Sequence, residues 1–145
     1  MSGKGRVPTS FNGALPLQSP QGGAELPATY TIDTDQKLVV SRIWGAATED
    51  EIFDHGQRLR NDPQFRPDFR QIVDMSELTE ILVGSEMIRD ASRKQFFAPG
   101  VKRALVANSD AAFGMARMYA ISSEAAGQTI EVFRDMKAAE TWLNV

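Results

Sequence analysis

VKRALVANSDAAFGMARMYAISS, residues 101–123, reads as a buried strand, a polar turn and an apolar helix. Ala104-Leu105-Val106-Ala107 is a short run of small and branched apolar residues. Pro99-Gly100 precedes it and Asn108-Ser109-Asp110 follows it. An apolar run between turn signals suits a strand covered on most of its surface. Ser109 is a good N-cap, because its hydroxyl can accept from the free amides of the first helical turn, and Asp110 adds a negative charge at the positive end of the dipole. From Ala111 to Ile121 the only charged residue is Arg117. Ala112, Met115, Ala116 and Tyr119 form one stripe at helical spacing, and Phe113, Ala116 and Ala120 form another. A helix with so little polar circumference is either deeply buried or covered by something outside its own domain. Gly114 costs about 1 kcal/mol of helix propensity relative to alanine, which a close neighbouring backbone would explain.

The rest of the chain repeats this strand-then-helix unit. Tyr30–Asp33 and Lys37–Trp44 read as a hairpin with its turn at Asp33-Thr34-Asp35-Gln36, and Gly45-Ala46-Ala47 ends it. Thr48-Glu49-Asp50-Glu51 is a capping box that opens a helix running to about Asn61. Its inner face is Ile52, Gly56 and Leu59, helped by Phe53. Arg58 and Arg60 match the dipole at its end. Phe69–Asp74 is a third strand. Met75–Val83 reads as a loop, and Glu86–Phe97 as a helix with Ile88, Ala91 and Phe96 inward. Thr129–Phe133 is a last strand, and Asp135 caps a last helix carrying Ala138, Ala139, Trp142 and Leu143 inward. Alternation of this kind predicts an α/β fold: a five-stranded mixed sheet, an N-terminal hairpin followed by β-α units, and four helices.

Residues 1–28 stand apart. They hold four of the seven prolines and five of the eleven glycines, and only Lys4, Arg6 and Glu25 are charged. Such a composition buries too little apolar area to offset chain entropy, so a flexible N-terminal arm is expected ahead of a single domain over 29–145. Phe11, Leu15 and Leu17 are its apolar groups.

Composition narrows function by exclusion. A net charge of −3 without a dense Lys/Arg run argues against nucleic acid as the main partner. The chain has no cysteine, hence no thiol chemistry and no thiolate metal site. The one histidine, His55, has no second histidine with which to form a metal pair, and beside Leu59 on its helix it reads as a surface residue. Asp74 has no evident acid–base partner. No run reaches membrane-spanning length and no signal-peptide core is visible, so a cytoplasmic location is expected. No metal, cofactor or catalytic residue is expected, and the chain reads as a non-enzyme.

The order β-β-α-β-α-β-α-β-α resembles the SpoIIAA-like, or STAS (sulphate transporter and anti-sigma-factor antagonist), two-layer fold. Asp74-Met75-Ser76-Glu77-Leu78 is similar to that family's D-L-S-x-V turn. Ser109-Asp110-Ala111-Ala112-Phe113-Gly114 and the closing Val132-Phe133-Arg134-Asp135 resemble a bacterial branch mostly without assigned function. The likeness covers about residues 29 to 143. It implies a regulatory or protein-interaction module with a protein partner or a second copy as its ligand. The family's antagonists are switched by phosphorylation of a serine in a D-S-S-G-L motif. The matching stretch here is Leu82-Val83-Gly84-Ser85-Glu86, which lacks the aspartate and brings Ser85 near the phosphoserine position with a one-residue shift.

Two surfaces follow. The strand C-termini and helix N-termini of a parallel sheet share one edge, where free amides and dipole ends gather. That edge would carry Asp74, Ser76, Ser85 and Ser109 as interaction or phosphorylation residues, against the plainer reading of Thr48, Ser85, Ser109 and Asp135 as N-caps. The second surface is the apolar helix, where Phe113, Met115, Met118 and Tyr119 would meet a partner. The alternative function is a carrier of a small apolar, lipid-like ligand in a slot lined by Phe96, Phe97, Phe113, Met115 and Met118.

Overall fold

The computed structural model describes residues 27–145. The arm expected over residues 1–28 lies outside them, apart from Pro27 and Ala28, and Ala28 already opens the first strand. The elements run β1 (Ala28–Asp33), β2 (Leu38–Ile43), β3 (Gly45–Thr48), α1 (Glu49–Arg60), β4 (Arg70–Asp74), β5 (Leu78–Leu82), α2 (Ser85–Arg93), β6 (Lys102–Val106), α3 (Asp110–Ser123), β7 (Thr129–Phe133) and α4 (Met136–Leu143), with a 3-10 turn over Glu124–Ala126. The expected α/β architecture, a five-stranded mixed sheet with four helices, is the one observed.

The sheet has the order β1-β2-β4-β6-β7. β1 is antiparallel to β2 through the predicted hairpin, and the remaining neighbours are parallel. The hairpin turn is held by Asp33, whose carboxylate accepts the amides of Asp35 and Gln36, each at 3.0 Å. Lys37, at φ 53°, completes the reversal.

Two strands were not expected. Gly45 takes φ 69°, which a side chain disfavours, and this turns the chain out of the main sheet. The Gly45-Ala46-Ala47 stretch then does not simply end the hairpin. It forms β3, which pairs in parallel with β5 inside the segment read as a loop. Small residues in β3 and a mixed Leu78-Thr79-Glu80-Ile81-Leu82 pattern in β5 conceal a two-stranded sheet that only a long-range pairing creates. The second helix also ends early, at Arg93. Gln95 turns back to donate to the Ser92 carbonyl at 3.0 Å, closing the last turn, and Phe96-Phe97 leave the helix for the core.

The strands alternate between two cores. Val73 and Leu105 face Ala112 and Ala116 of α3, while Val39 faces Leu59, Phe65, Phe69 and Phe97. On the opposite face Leu38, Ile72, Ala104 and Val106 pack on Ala139 and Leu143 of α4. Helices therefore flank both faces, a third layer that the sequence reading did not separate. Of the expected inner face of α1, Leu59 is buried and Ile52 half-buried, but Phe53 is 62 % exposed and points outward. It lies two positions from His55, which takes the inward place instead.

Thr48 forms the full capping box, accepting from the Glu51 amide at 3.3 Å while Glu51 accepts from the Thr48 amide at 2.9 Å. Ser109 and Asp135 cap α3 and α4. Ser85 does not cap α2. The N-cap is Gly84, whose amide is taken by the Glu49 carboxylate at 3.0 Å, and Ser85 is the first helical residue. Thr48→Ala is therefore expected to lower stability by about 1 kcal/mol in urea unfolding, whereas Ser85→Ala stays near wild type. Equal losses for the two would contradict this assignment of caps.

Candidate functional site

The sheet edge is the first of the two expected surfaces. Asp74 ends β4, and its carboxylate accepts both the amide of Ser76 at 3.0 Å and its hydroxyl at 2.7 Å. These two residues spend their polar groups on closing a turn. The Met75 amide donates to the Val106 carbonyl at 2.8 Å, so this turn sits beside the end of β6, from which the chain runs on to Ser109. Ser85 does not join them. It follows β5 while Ser76 precedes it, and five strand residues span about 17 Å. The four residues do not form one site.

The second surface is α3. Its inner row is Ala112, Ala116, Ala120 and Ser123, all buried against the sheet. Phe113 and Tyr119 flank that row and pack on the same core, so they turn inward and do not form an outer contact face. The Arg134 guanidinium lies 4.1 Å from the centre of the Phe113 ring. Met115 and Met118 are half-buried. The exposed apolar residue is Ile121, at 57 %. The ligand slot is not assembled. Phe96 and Phe97 belong to the cluster under α1 with Phe65 and Phe69, whereas Phe113 belongs to the cluster under α3. A shallow recess among the described residues is lined by Pro27, Ala28, Asp50, Glu51, Asp54 and Arg58, none of them in the proposed slot.

Tyr119 instead leads to a group that sequence reasoning missed. Arg103 is 5 % exposed, and among the described residues its guanidinium meets no carboxylate. Its Nε donates to Gln71 Oε1 at 3.2 Å. Nη1 donates to Gln95 Oε1 at 2.9 Å and to Gln128 Oε1 at 3.1 Å, and Nη2 donates to the Tyr119 hydroxyl at 3.2 Å. Its centre stands 4.2 Å from the Phe97 ring, so aromatic density supplies part of the counter-charge. The amides are satisfied in turn: Gln71 donates to Ser41, Gln95 to Ser123, and Gln128 to the Phe97 carbonyl. The cluster joins β4, β6, the exit of α2, α3 and the lead-in to β7. The signal in the sequence was a polar residue at the same register of adjacent strands, since Gln71 pairs with Arg103.

His55 is likewise buried, not on the surface as expected. Its ring meets Tyr30 edge-on at 5.8 Å, and among the described residues its Nε2 is the one buried side-chain polar atom without a partner. Burial, with the nearby charge of Arg58, pushes the imidazole down from 6.5 to about 4. Tyr30 donates to Asp62 at 2.7 Å, and burial together with that bond pushes its hydroxyl up. These groups lock β1 to α1, with Arg58 also donating to the Ala28 carbonyl.

Among the described residues no helix is long and apolar enough to cross a membrane, and no group of acidic residues and histidine is placed to hold a metal ion. No protein-family model matches the chain, and no curated protein matches it. The class that the fold defines is an α/β domain built on a mixed five-stranded sheet.

Two outcomes follow from these buried groups. Arg103→Ala should lose about 2–5 kcal/mol, because it leaves the Gln71 and Gln128 carbonyl oxygens in the core without a donor, while Gln95 and Tyr119 keep each other; Arg103→Met, which refills the volume but strands the same two oxygens, should lose a similar amount. Denaturant unfolding of both variants checks this, and a clearly smaller loss for Arg103→Met would assign the cost to packing volume and not to hydrogen-bond satisfaction. For His55, the unfolded chain takes up a proton near pH 6.5 and the folded chain only near 4. Its contribution is therefore complete above 6.5, is lost as pH falls towards 4, and is flat below, amounting to roughly 3 kcal/mol at 1.36 kcal/mol per pKa unit. Stability curves of wild type and His55→Leu should diverge by that amount between pH 7 and 4, and parallel curves would remove histidine from the acid response.

Proposed function

We propose that this chain is a SpoIIAA-like, STAS-type interaction module that acts by binding a protein partner and not by catalysis. The observation that carries the reading is the outer side of α3. Its inner row of alanines already satisfies the sheet, yet Ile121 remains 57 % exposed beside Met118, and Arg117 is the only charge between Ala111 and Ile121. A face so poor in charge is what a partner-covered helix presents. The element order supports the family reading, with β3 and β5 as additions to it. So does the Asp74–Ser76 turn, which stands where the family's D-L-S-x-V turn would fall. Ser85 is exposed at the start of α2, next to Glu49, and a phosphate there would set a second anion beside the carboxylate that already holds the Gly84 amide.

The test is native mass spectrometry of the protein purified gently from its own host, compared with Ile121→Asp. Wild type should carry a second protein chain at fixed stoichiometry, and the variant, with its far-UV circular dichroism unchanged, should lose it. A wild-type protein that is monomeric and alone, or a variant that keeps its partner, would overturn the α3 reading.

A further inference from the structure

Two charges at the C-terminal half of α3 have no partner on their own helix. The residues three and four positions from Arg117 and Glu124 are Phe113, Gly114, Ala120, Ile121, Gly127 and Gln128, and none is charged. Neither residue can therefore form the pairs by which a helix balances its own surface charge. Both are exposed, and neither forms an ion pair among the described residues, whereas Asp110 at the start of α3 is engaged by Arg134 at 3.0 Å. Glu124 is also unfavourably placed. It follows the last turn of α3, where the helix dipole disfavours an acid and where no basic residue stands.

Arg117 and Glu124 lie on the same side of the helix. Seven residues advance it by about 10 Å and return to nearly the same angle. Ile121 stands at the middle of this span and is 57 % exposed, with the half-buried Met118 beside it. The order along this side is cation, apolar residue, anion.

Such a patch is complementary to itself. A two-fold axis crossing α3 beside Ile121 carries the helix onto an antiparallel copy. Arg117 then meets the partner's Glu124, Glu124 meets the partner's Arg117, and the two Ile121 side chains meet each other. Both charges are paired, the exposed side chain is covered, and the helix dipoles oppose. Other registers do less. An axis at Arg117 sets two arginines face to face and Asp110 against Glu124. An axis midway between Asp110 and Arg117 pairs those two residues, but it leaves Ile121 in water and uses an aspartate that Arg134 already holds. A parallel copy brings each charge level with its own kind. Of these arrangements, the one centred on Ile121 alone uses all three groups.

We propose that a second copy of this chain covers α3. The two helices pack antiparallel, with Ile121 at the two-fold axis and a reciprocal Arg117–Glu124 pair on each side. This rests on reading α3 as the interaction face and names what binds there.

Charge reversal tests it on the full chain, read by sedimentation equilibrium over a concentration series with far-UV circular dichroism as the check on folding. Wild type should dimerise, and Ile121→Asp should be monomeric. Arg117→Glu or Glu124→Arg alone sets like charges at both contacts of its own dimer, and each should weaken self-association about tenfold. Mixing the two variants sets glutamate against arginine at both contacts, so the mixture should form a heterodimer of near wild-type affinity. High salt should narrow these differences. A dimer that neither reversal weakens would overturn α3 as the contact between copies. Weakened variants that mixing does not restore would overturn the register, and rescue of Arg117→Glu by Asp110→Arg instead would move the axis towards Gly114. A wild type that stays monomeric would overturn the second copy. A native mass spectrum showing a different protein that Ile121→Asp releases would then leave α3 as the interaction face, and one showing no partner would remove both readings.

Discussion

Each strand of the main sheet after β1 is added on the same side of the one before, in the order β2, β4, β6, β7. Parallel crossovers of one hand then have no choice of face. α1, α2 and α3 must all lie on one side, and the sheet never reverses direction. Folds that grow both ways open a crevice at the reversal, where ligands settle. Here the connections open no such crevice. The polar residues at the strand ends, Asp74 and Ser76 among them, close a turn on each other. Only α4, which follows the last strand and leads to no further one, reaches the opposite face, where Ala139 and Leu143 cover Ile72, Ala104 and Val106.

α2 and α3 pack against each other on one face, and the Arg103 cluster sits between the exit of α2, α3 and the sheet. A buried cation without an anion is expensive unless every donor is used. Three glutamines and a tyrosine hydroxyl take four of its five N–H donors, and the Phe97 ring lies against its face. Those partners come from β4, from the chain after α2, from α3 and from the chain before β7. Their geometry fixes how α3 is rotated, because Tyr119 can reach the guanidinium only while Ala112, Ala116 and Ala120 face the sheet. Satisfied polar contacts of this kind specify one arrangement more sharply than apolar contacts of equal area.

Rotation of α3 in turn determines what the molecule shows outside. Small residues on the inner row let the helix lie close on β7, and the same rotation carries Gly114, Met118 and Ile121 outward. An outer side on which Ile121 stands exposed beside Met118, with Arg117 as its one charge between Ala111 and Ile121, is the surface on which the proposed interaction rests. It is a property of one helix held in one orientation, so the core polar cluster and the candidate binding face are physically linked.

The apolar run Ala104–Ala107, the caps at Thr48, Ser109 and Asp135, and the hairpin turn at Asp33 were legible from residue chemistry alone, because each depends on neighbours in the chain. The α/β class and the five main strands follow from those local signals. What pairs across long separations was not legible. β3 and β5 exist only because Gly45 turns the chain towards Glu77. His55 and Phe53 exchange their expected places because α1 packs with a rotation that local periodicity does not determine. Gln71, Arg103 and Gln128 carry no local mark of a shared role, because only the pairing of β4 with β6 and the approach of the chain before β7 bring them together. On α3, the residue types with their heptad spacing were in the chain from the start. Tertiary packing decided which of its stripes is core and which is left to solvent, since a helix with little polar circumference carries no local mark of its outer side.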